Sequence, residues 1–442
     1  MKIQSNSNLH HVVIVGGGAG GLELATKLGN SLGRKGKVAI TLIDRSRTHV
    51  WKPLLHEIAA GSMDPDRHEL DYMAQAHWHH FRFRLGSMDG LDRAKKEVYV
   101  APYYDEDGVE MIPRRTFKYD TLIIAVGSTT NDFGIQGARE YSIALETQEY
   151  AERFHRRLHN ALVRAQTQIE PIQPGQLEVV IVGAGATGVE LAAELHNTTR
   201  ELTAYGLDKI DPDKDIKITL IEAGDRVLPA LPKRISHCVE DELRGLQVRI
   251  LTNERVVEVN DRGIHTHSGK FIPSALIVWA AGIKAPDFLS QLDGLEVNKI
   301  NQLVVKRTLQ TTLDEDVFSF GDCAACPMVG QDGNVPPRAQ AAHQQASMLA
   351  NTIKRRIAAK TLPEYTYRDY GSLVNLGRYS TVGSLMGAIT GGTLFIEGLF
   401  AGLMYQALYK MHLMALHGFF TVFLQTLARL ITRRTEAQVK LH

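Results

Sequence analysis

The first strongly apolar run in the chain, Val12-Val13-Ile14-Val15, breaks directly into Gly16, Gly17 and Gly18 and then into a helical pattern carrying Gly20, Gly21, Leu22 and Leu24. Four consecutive apolar residues closed by glycine predict a buried strand. A secretory signal would need a basic start, an apolar core and a small-residue cleavage site instead. The pattern returns as Val179-Val180-Ile181-Val182, followed by Gly183, Gly185, Gly188, Val189 and Leu191. Each copy reads as strand, G-x-G-x-x-G, helix, so the chain carries an internal repeat. Each is followed by a second strand that ends in an acid: Ile40-Thr41-Leu42-Ile43 before Asp44, and Ile218-Thr219-Leu220-Ile221 before Glu222. In each half a later apolar strand runs into small residues, Ala125-Val126-Gly127 and Ala280-Ala281-Gly282.

The last stretch has a different pattern. From Gly398 to Ile431 the chain is rich in Leu, Met and Phe, and Lys410 is its only charged residue before Arg429. Met411 to Ala428 reaches the lower length limit of a spanning helix but contains His412, His417, Gly418, Thr421 and Gln425, so spanning is not favoured. At helical spacing Gln406, Lys410, His417 and Thr421 share a narrow polar face. Leu403, Met404, Met411, Met414, Phe419, Phe423 and Leu427 form a broad apolar one. This predicts amphipathic helices lying in a membrane interface, with Arg429, Arg433, Arg434 and Lys440 meeting anionic headgroups. A helix packed on the protein core or in a dimer contact is the alternative.

Composition sets the scale. A chain of 442 residues, 44% hydrophobic and 22% charged, suggests two or three domains and excludes disorder or a disulfide-stapled scaffold. Fifty Lys and Arg against 49 Asp and Glu leave a net charge of +1, so no nucleic-acid partner is expected. Three cysteines, Cys238, Cys323 and Cys326, suggest a reducing compartment. A mean hydropathy of -0.14 argues against a polytopic membrane protein.

A G-x-G-x-x-G between strand and helix lets the backbone turn sharply, approach a pyrophosphate and aim helix N–H groups at it. An acid ending the next strand accepts hydrogen bonds from ribose hydroxyls. Two such units imply two dinucleotides, the arrangement of a flavoprotein reduced by a nicotinamide nucleotide. A later element, Val317-Phe318-Ser319-Phe320-Gly321-Asp322, completes an order that resembles the glutathione-reductase-like flavoproteins. That resemblance implies an α/β fold with two Rossmann-like dinucleotide-binding domains, the FAD domain being split around an inserted NADH domain. It implies that Gly16, Gly18, Ala19, Gly20, Gly21, Asp44, Lys52, Ala125, Gly127 and Asp322 serve FAD. Gly183, Gly185, Thr187, Gly188, Glu190, Glu222, Ala281 and Gly282 would serve NADH. Glu222 would repel a 2′-phosphate, making NADH the expected donor, and Arg226 reads as a structural or surface arginine.

The electron acceptor separates enzymes of this type. The segment His49 to Gly61 holds no cysteine, which excludes a dithiol relay there. Cys323 and Cys326 form a C-x-x-C after Gly321-Asp322 that reads as buried and inert before it reads as redox-active or zinc-binding. Gln340 and Gln344 stand one helical turn apart among alanines, a face that can admit a planar ligand or lie at a helix surface. With the flanking repeats, Ala339, Gln340, Ala342 and Gln344, the Pro53-Leu54-Leu55-x-Glu57 stretch and the amphipathic tail resemble the type II NADH dehydrogenases, non-proton-pumping NADH:quinone oxidoreductases of respiratory membranes. The resemblance covers essentially the whole chain. It implies FAD as cofactor, NADH and a quinone as substrates, and Ala339, Gln340 and Gln344 at the quinone. It further implies a homodimer held peripherally at the cytoplasmic face of the inner membrane by the tail.

By that resemblance Glu190 would position NADH or relay protons. Equally, it reads as a first-turn glutamate favoured by the helix dipole, with Glu23 its counterpart in the first repeat. His343 can exchange protons near neutrality but reads first as a core histidine. His77, His79 and His80 suggest a solvated helix end, not a metal site, and residues 211–215 a loop. The expected division is an FAD domain over 1–145 and 283–350, an NADH domain over 146–282, and a C-terminal region over 351–442 with helices from about 393. Sulfide:quinone oxidoreductase, with Cys323 and Cys326 carrying sulfur, is the rival enzyme. A redox-sensing flavoprotein of the apoptosis-inducing-factor type is the rival without turnover.

Overall fold

The computed structural model describes residues 9–377, 381–386, 393–432 and 439. In chain order the core strands are β1 (His10–Val15), β2 (Val38–Asp44), β3 (Arg82–Leu85) and β4 (Thr121–Ile124). Then come β5 (Ile143–Ala144), β6 (Glu178–Val182), β7 (Lys217–Ile221), β8 (Arg249–Leu251), β9 (Leu276–Trp279) and, last, β10 (Val317–Ser319). Two five-stranded sheets result, in the orders β10-β4-β1-β2-β3 and β5-β9-β6-β7-β8, and every pairing is parallel. Such sheets are covered on both faces, which is why their central strands are uninterrupted apolar runs. Val12 to Val15 and Val179 to Val182 are all buried, each side chain contributing about 2 kcal/mol of apolar burial.

The outer strand of the first sheet, β10, comes after the whole second sheet, whereas its counterpart β5 precedes β6. Accordingly the described contacts group residues 9–51, 69–129 and 283–369 into one compact unit, and 52–68, 130–282 and the described residues from 370 on into another. The second unit thus begins at 130, ahead of the expected 146, and takes in 52–68. The cause lies in α2 (Leu55–Ala60), whose buried Leu55, Ile58 and Ala59 pack on α3 (Gln148–Thr167) and α4 (Ala186–Ala204). In the first unit α1 (Ala19–Leu28) packs along α5 (Ala339–Ile357).

Of the expected C-terminal region, residues 351–369 stay with the first unit and the described residues from 370 on belong to the second. The latter part holds an antiparallel sheet of β11 (Ser372–Asn375), β12 (Thr381–Met386) and β13 (Thr393–Glu397), followed by α6 (Gly398–His417) and α7 (Phe419–Thr432). The helix pair is as the apolar pattern predicts. On α6, His412, Leu413 and Leu416 are buried, while Met411 is exposed. On α7, Val422 faces inward and Phe419, Phe420, Phe423, Leu424 and Leu427 are exposed, Phe419 by 72%. The outer stripe therefore includes Phe420 and Leu424 beside the expected residues, and Met404 and Met414 are only half-buried. No helix among the described residues is long and apolar enough to cross a membrane. Arg433, Arg434 and Lys440 lie outside the described residues, as do the side chains of Leu403, Gln406 and Arg429.

Candidate functional site

The two repeats fold into matching cradles. Gly16 and Gly183 end their strands at φ +102° and +104°, a conformation that favours glycine. A Cβ on Gly21 would stand 1.9 Å from the Gly16 carbonyl oxygen, and one on Gly188 2.0 Å from that of Gly183. Only glycine lets each helix pack this closely on its loop. Gly18 and Gly185 cap α1 and α4 with no side-chain hydrogen bond, and a Cβ on either would meet nothing within 4 Å. Thr187 is exposed at the same end of α4. Two bare helix N-termini with open space before them fit two dinucleotide pyrophosphates. Gly20 has a different job: a Cβ there would lie 2.5 Å from the Phe320 ring, so it packs α1 inward. Ala19 opens the helix half-buried, and Lys52 is exposed at the edge of the second unit.

The acids are equally matched. Asp44 accepts from the Gly17 and Ser46 amides at 2.6 and 2.8 Å, and Glu222 from the Ala184 and Gly224 amides at 2.9 and 2.8 Å. Each carboxylate thus braces its own glycine loop at the end of the second strand. Arg226 donates to the Pro229 carbonyl and pairs with Asp225, a loop-holding role. Behind the first cradle Ala125 is buried, its carbonyl where a Gly16 Cβ would clash, and Gly127 follows. Ser128 donates to Asp322 at 2.9 Å and Gln302 donates to the Asp322 carbonyl. Behind the second, Ala281 crosses Gly183 in the same way, and Trp279 donates to the Asn131 carbonyl. These are the small-residue crossings that both halves of the sequence predict.

On α5 the glutamines have different protein partners. Gln340 donates to Asp369, which also pairs with Arg338 at 3.2 Å. Gln344, expected at the quinone, spends both ends of its amide on the Arg368 backbone, accepting from its N–H at 3.0 Å and donating to its carbonyl at 2.8 Å. Its visible work is to tie the following segment to α5. Gln345, passed over in the sequence, is buried and accepts from the Gly321 amide at 2.8 Å, so it holds the Gly-Asp turn. Ala339 is half-buried at the first turn of the helix.

Glu23 and Glu190 occupy the same position in the two repeats, and both are buried. Burial pushes Glu23 up, but hydrogen bonds from His343 and Lys27 outweigh it and hold the carboxyl below its ordinary value. Among the described residues, no Lys or Arg pairs with Glu190. Burial, with Glu57 and Glu194 nearby, raises it from 4.5 to about 8, against the Asn375 amide, which donates to it at 3.1 Å. The helix dipole is worth about 1 kcal/mol, under one pKa unit, so desolvation wins. His56 lies 3.6 Å from Glu190, yet burial lowers it to about 4. The two are neutral near neutral pH, and their contact is not an ion pair there.

Cys323 and Cys326 are buried and free, and burial raises both thiols, Cys326 to about 11. Thiols kept protonated are poor nucleophiles. His77 and His80 are exposed around the end of a short helix, and among the described residues no group of three or more His, Cys, Asp or Glu is placed to hold a metal. Asp211 to Asp215 forms the expected loop, tied by the Asp211 amide donating to the Asp215 carboxylate and the Asp215 amide donating to the Asp211 carbonyl.

Comparison with known proteins bears on these features. The family described as pyridine nucleotide-disulphide oxidoreductase matches residues 10–346. A type II NADH:quinone oxidoreductase from Haemophilus influenzae is 43% identical, over 98% of this chain and 100% of its own. Among solved structures, NDH2 from Plasmodium falciparum in complex with NADH superposes with a TM-score of 0.80 at 19% identity, covering 94% of this chain and 98% of that one. The sulfide:quinone oxidoreductase of Aquifex aeolicus gives 0.71 at 19% identity, covering 92% of each chain. At such identities the solved structures speak for the fold alone.

Proposed function

The chain belongs to the type II NADH:quinone oxidoreductases, within the pyridine nucleotide-disulphide oxidoreductase family, and from that premise we propose how its residues divide the work. The enzyme carries electrons from NADH through FAD to a quinone without pumping protons. Bound FAD supplies the two-electron centre, and the protein supplies orientation and electrostatics. The observation that carries the residue assignment is the pair of equivalent cradles. The first, with Gly16, Gly18, Gly21, Asp44, Gly127 and Asp322, holds FAD. The second, with Gly183, Gly185, Gly188, Glu222, Ala281 and Gly282, holds NADH. Glu222 excludes a 2′-phosphate by charge, which selects NADH over its phosphorylated analogue.

On the acceptor side Gln340, oriented by Asp369, contacts the quinone, while Gln344 and Gln345 keep α5 and the Gly321-Asp322 turn in place. Glu190, neutral near pH 7, keeps a proton in the second unit beside Tyr405 and His56. The exposed stripe of α7 lies on the lipid surface at the cytoplasmic face, the side on which three cysteines outside any disulfide stay reduced. The homodimer rests on the family resemblance. The buried, protonated thiols give the sulfide-oxidising alternative no support.

Two substitutions test the division. Gly188→Ala drives a methyl into the Gly183 carbonyl, so NADH affinity falls at least tenfold, on the order of a 2 kcal/mol clash, while the flavin spectrum persists. Gly21→Ala yields protein that loses FAD on dilution. Reversed phenotypes would exchange the two sites.

A further inference from the structure

The two cradles differ in how the peptide behind the pyrophosphate position is held. In the first, the Gly17 carbonyl accepts two side-chain hydrogen bonds, from the Tyr72 hydroxyl at 2.7 Å and from His49 Nδ1 at 3.0 Å. Its amide donates to Asp44 at 2.6 Å. In the second, Ala184 stands at this position, its amide on Glu222, and its carbonyl accepts the Leu228 backbone amide at 2.8 Å. One loop is tied by main chain, the other by two buried side chains, Tyr72 at 2% and His49 at 3% exposure. The difference explains a divergence between the repeats: a Cβ on residue 17 would lie 2.5 Å from the Tyr72 hydroxyl, so alanine fits only the second loop.

Both donors are fixed in one protonation state. Burial lowers His49 to about 4, leaving a neutral ring, and the carbonyl opposite Nδ1 can only accept, so Nδ1 carries the proton. Burial raises the Tyr72 phenol well above its ordinary value. The peptide between Gly17 and Gly18 is planar and trans, with C=O and N–H on opposite sides. Pinning the Gly17 carbonyl on Tyr72 and His49 therefore sets the Gly18 N–H on the side away from those two donors, and a Cβ on Gly18 would meet nothing within 4 Å.

We propose that His49 and Tyr72 are positioning residues for FAD: together they clamp the Gly17 peptide so that the first loop presents its Gly18 amide to the flavin dinucleotide's pyrophosphate. The clamp supplies from two buried side chains the ordering that the loop's own glycine cap cannot. It rests on the assignment of FAD to the first repeat.

Tyr72→Phe removes one donor and keeps the ring, which stacks on Phe83 at 5.0 Å between centroids. His49→Leu removes the other, and His49→Asn restores an amide N–H where Nδ1 stands. FAD release from the holoenzyme is followed by the rise in flavin fluorescence on dilution, and NADH binding is measured on the same proteins. Each single deletion raises the FAD dissociation constant about fivefold, the size of one net hydrogen bond, and the pair raises it more than tenfold. His49→Asn binds FAD like the parent, and NADH affinity is unchanged throughout. Parental FAD retention in both deletions and their combination would overturn the clamp, as would His49→Asn releasing FAD as fast as His49→Leu. Weakened NADH binding with FAD still tight would instead overturn the assignment of the repeats.

Discussion

Two glutamates at one repeat position show how neighbours decide chemistry. Glu23 sits with Lys27 and His343 and stays ionised, whereas Glu190, buried with two other carboxyls nearby, is raised to about 8. Because the folded value of Glu190 lies above the unfolded 4.5, the native state holds this proton longer. Its contribution to stability is full below about pH 4.5 and is lost as pH rises through about 8. Glu190→Gln carries a permanently neutral amide, so its melting temperature declines less than the parent's between those values. If the protonated acid supports quinone reduction, parental turnover falls as pH passes about 8, and this limb is missing from the variant. An identical alkaline limb in both proteins would remove Glu190 from the proton path.

At the scale of elements, α6 and α7 share the apolar tail but differ in what they face. Leu413 and Leu416 turn α6 inward, and its Tyr405 lies near Glu190, whereas α7 exposes a stripe from Phe419 to Leu427. Deletion from residue 419 onward is therefore the sharper cut, since removal from 393 would also take Tyr405. The shortened protein is expected to keep FAD and NADH binding and to stay in the supernatant when anionic vesicles are sedimented. Continued sedimentation would move the membrane contact elsewhere. The repeats and their acids could be read from sequence because each spans one strand, loop and helix, where local spacing dictates geometry. The partners of Glu190 could not: Asn375 is 185 residues away, brought in by a sheet with no local signature. Gln344 and Gln345 are adjacent on one helix, and which of them reaches the Gly321 amide depends on packing that spacing does not encode.

Over the whole molecule, a net charge of +1 and a mean hydropathy of -0.14 average two unlike parts, a polar body with two dinucleotide cradles and an apolar terminal helix. The chain leaves its first sheet, builds the second and returns with β10, so the first sheet is completed by segments on either side of the second. The glutathione-reductase-like fold also serves thiol and sulfide chemistry, and it is the acceptor that distinguishes this enzyme. Anaerobic stopped-flow mixing, applied to the full-length protein and to the Cys323→Ser, Cys326→Ser double variant, reads that step directly. NADH is expected to bleach the flavin absorbance and a short-chain quinone to restore it, at the same rate in both proteins. Flavin that stays bleached in the presence of quinone, or recovery that disappears with the two thiols, would contradict NADH:quinone transfer through FAD alone.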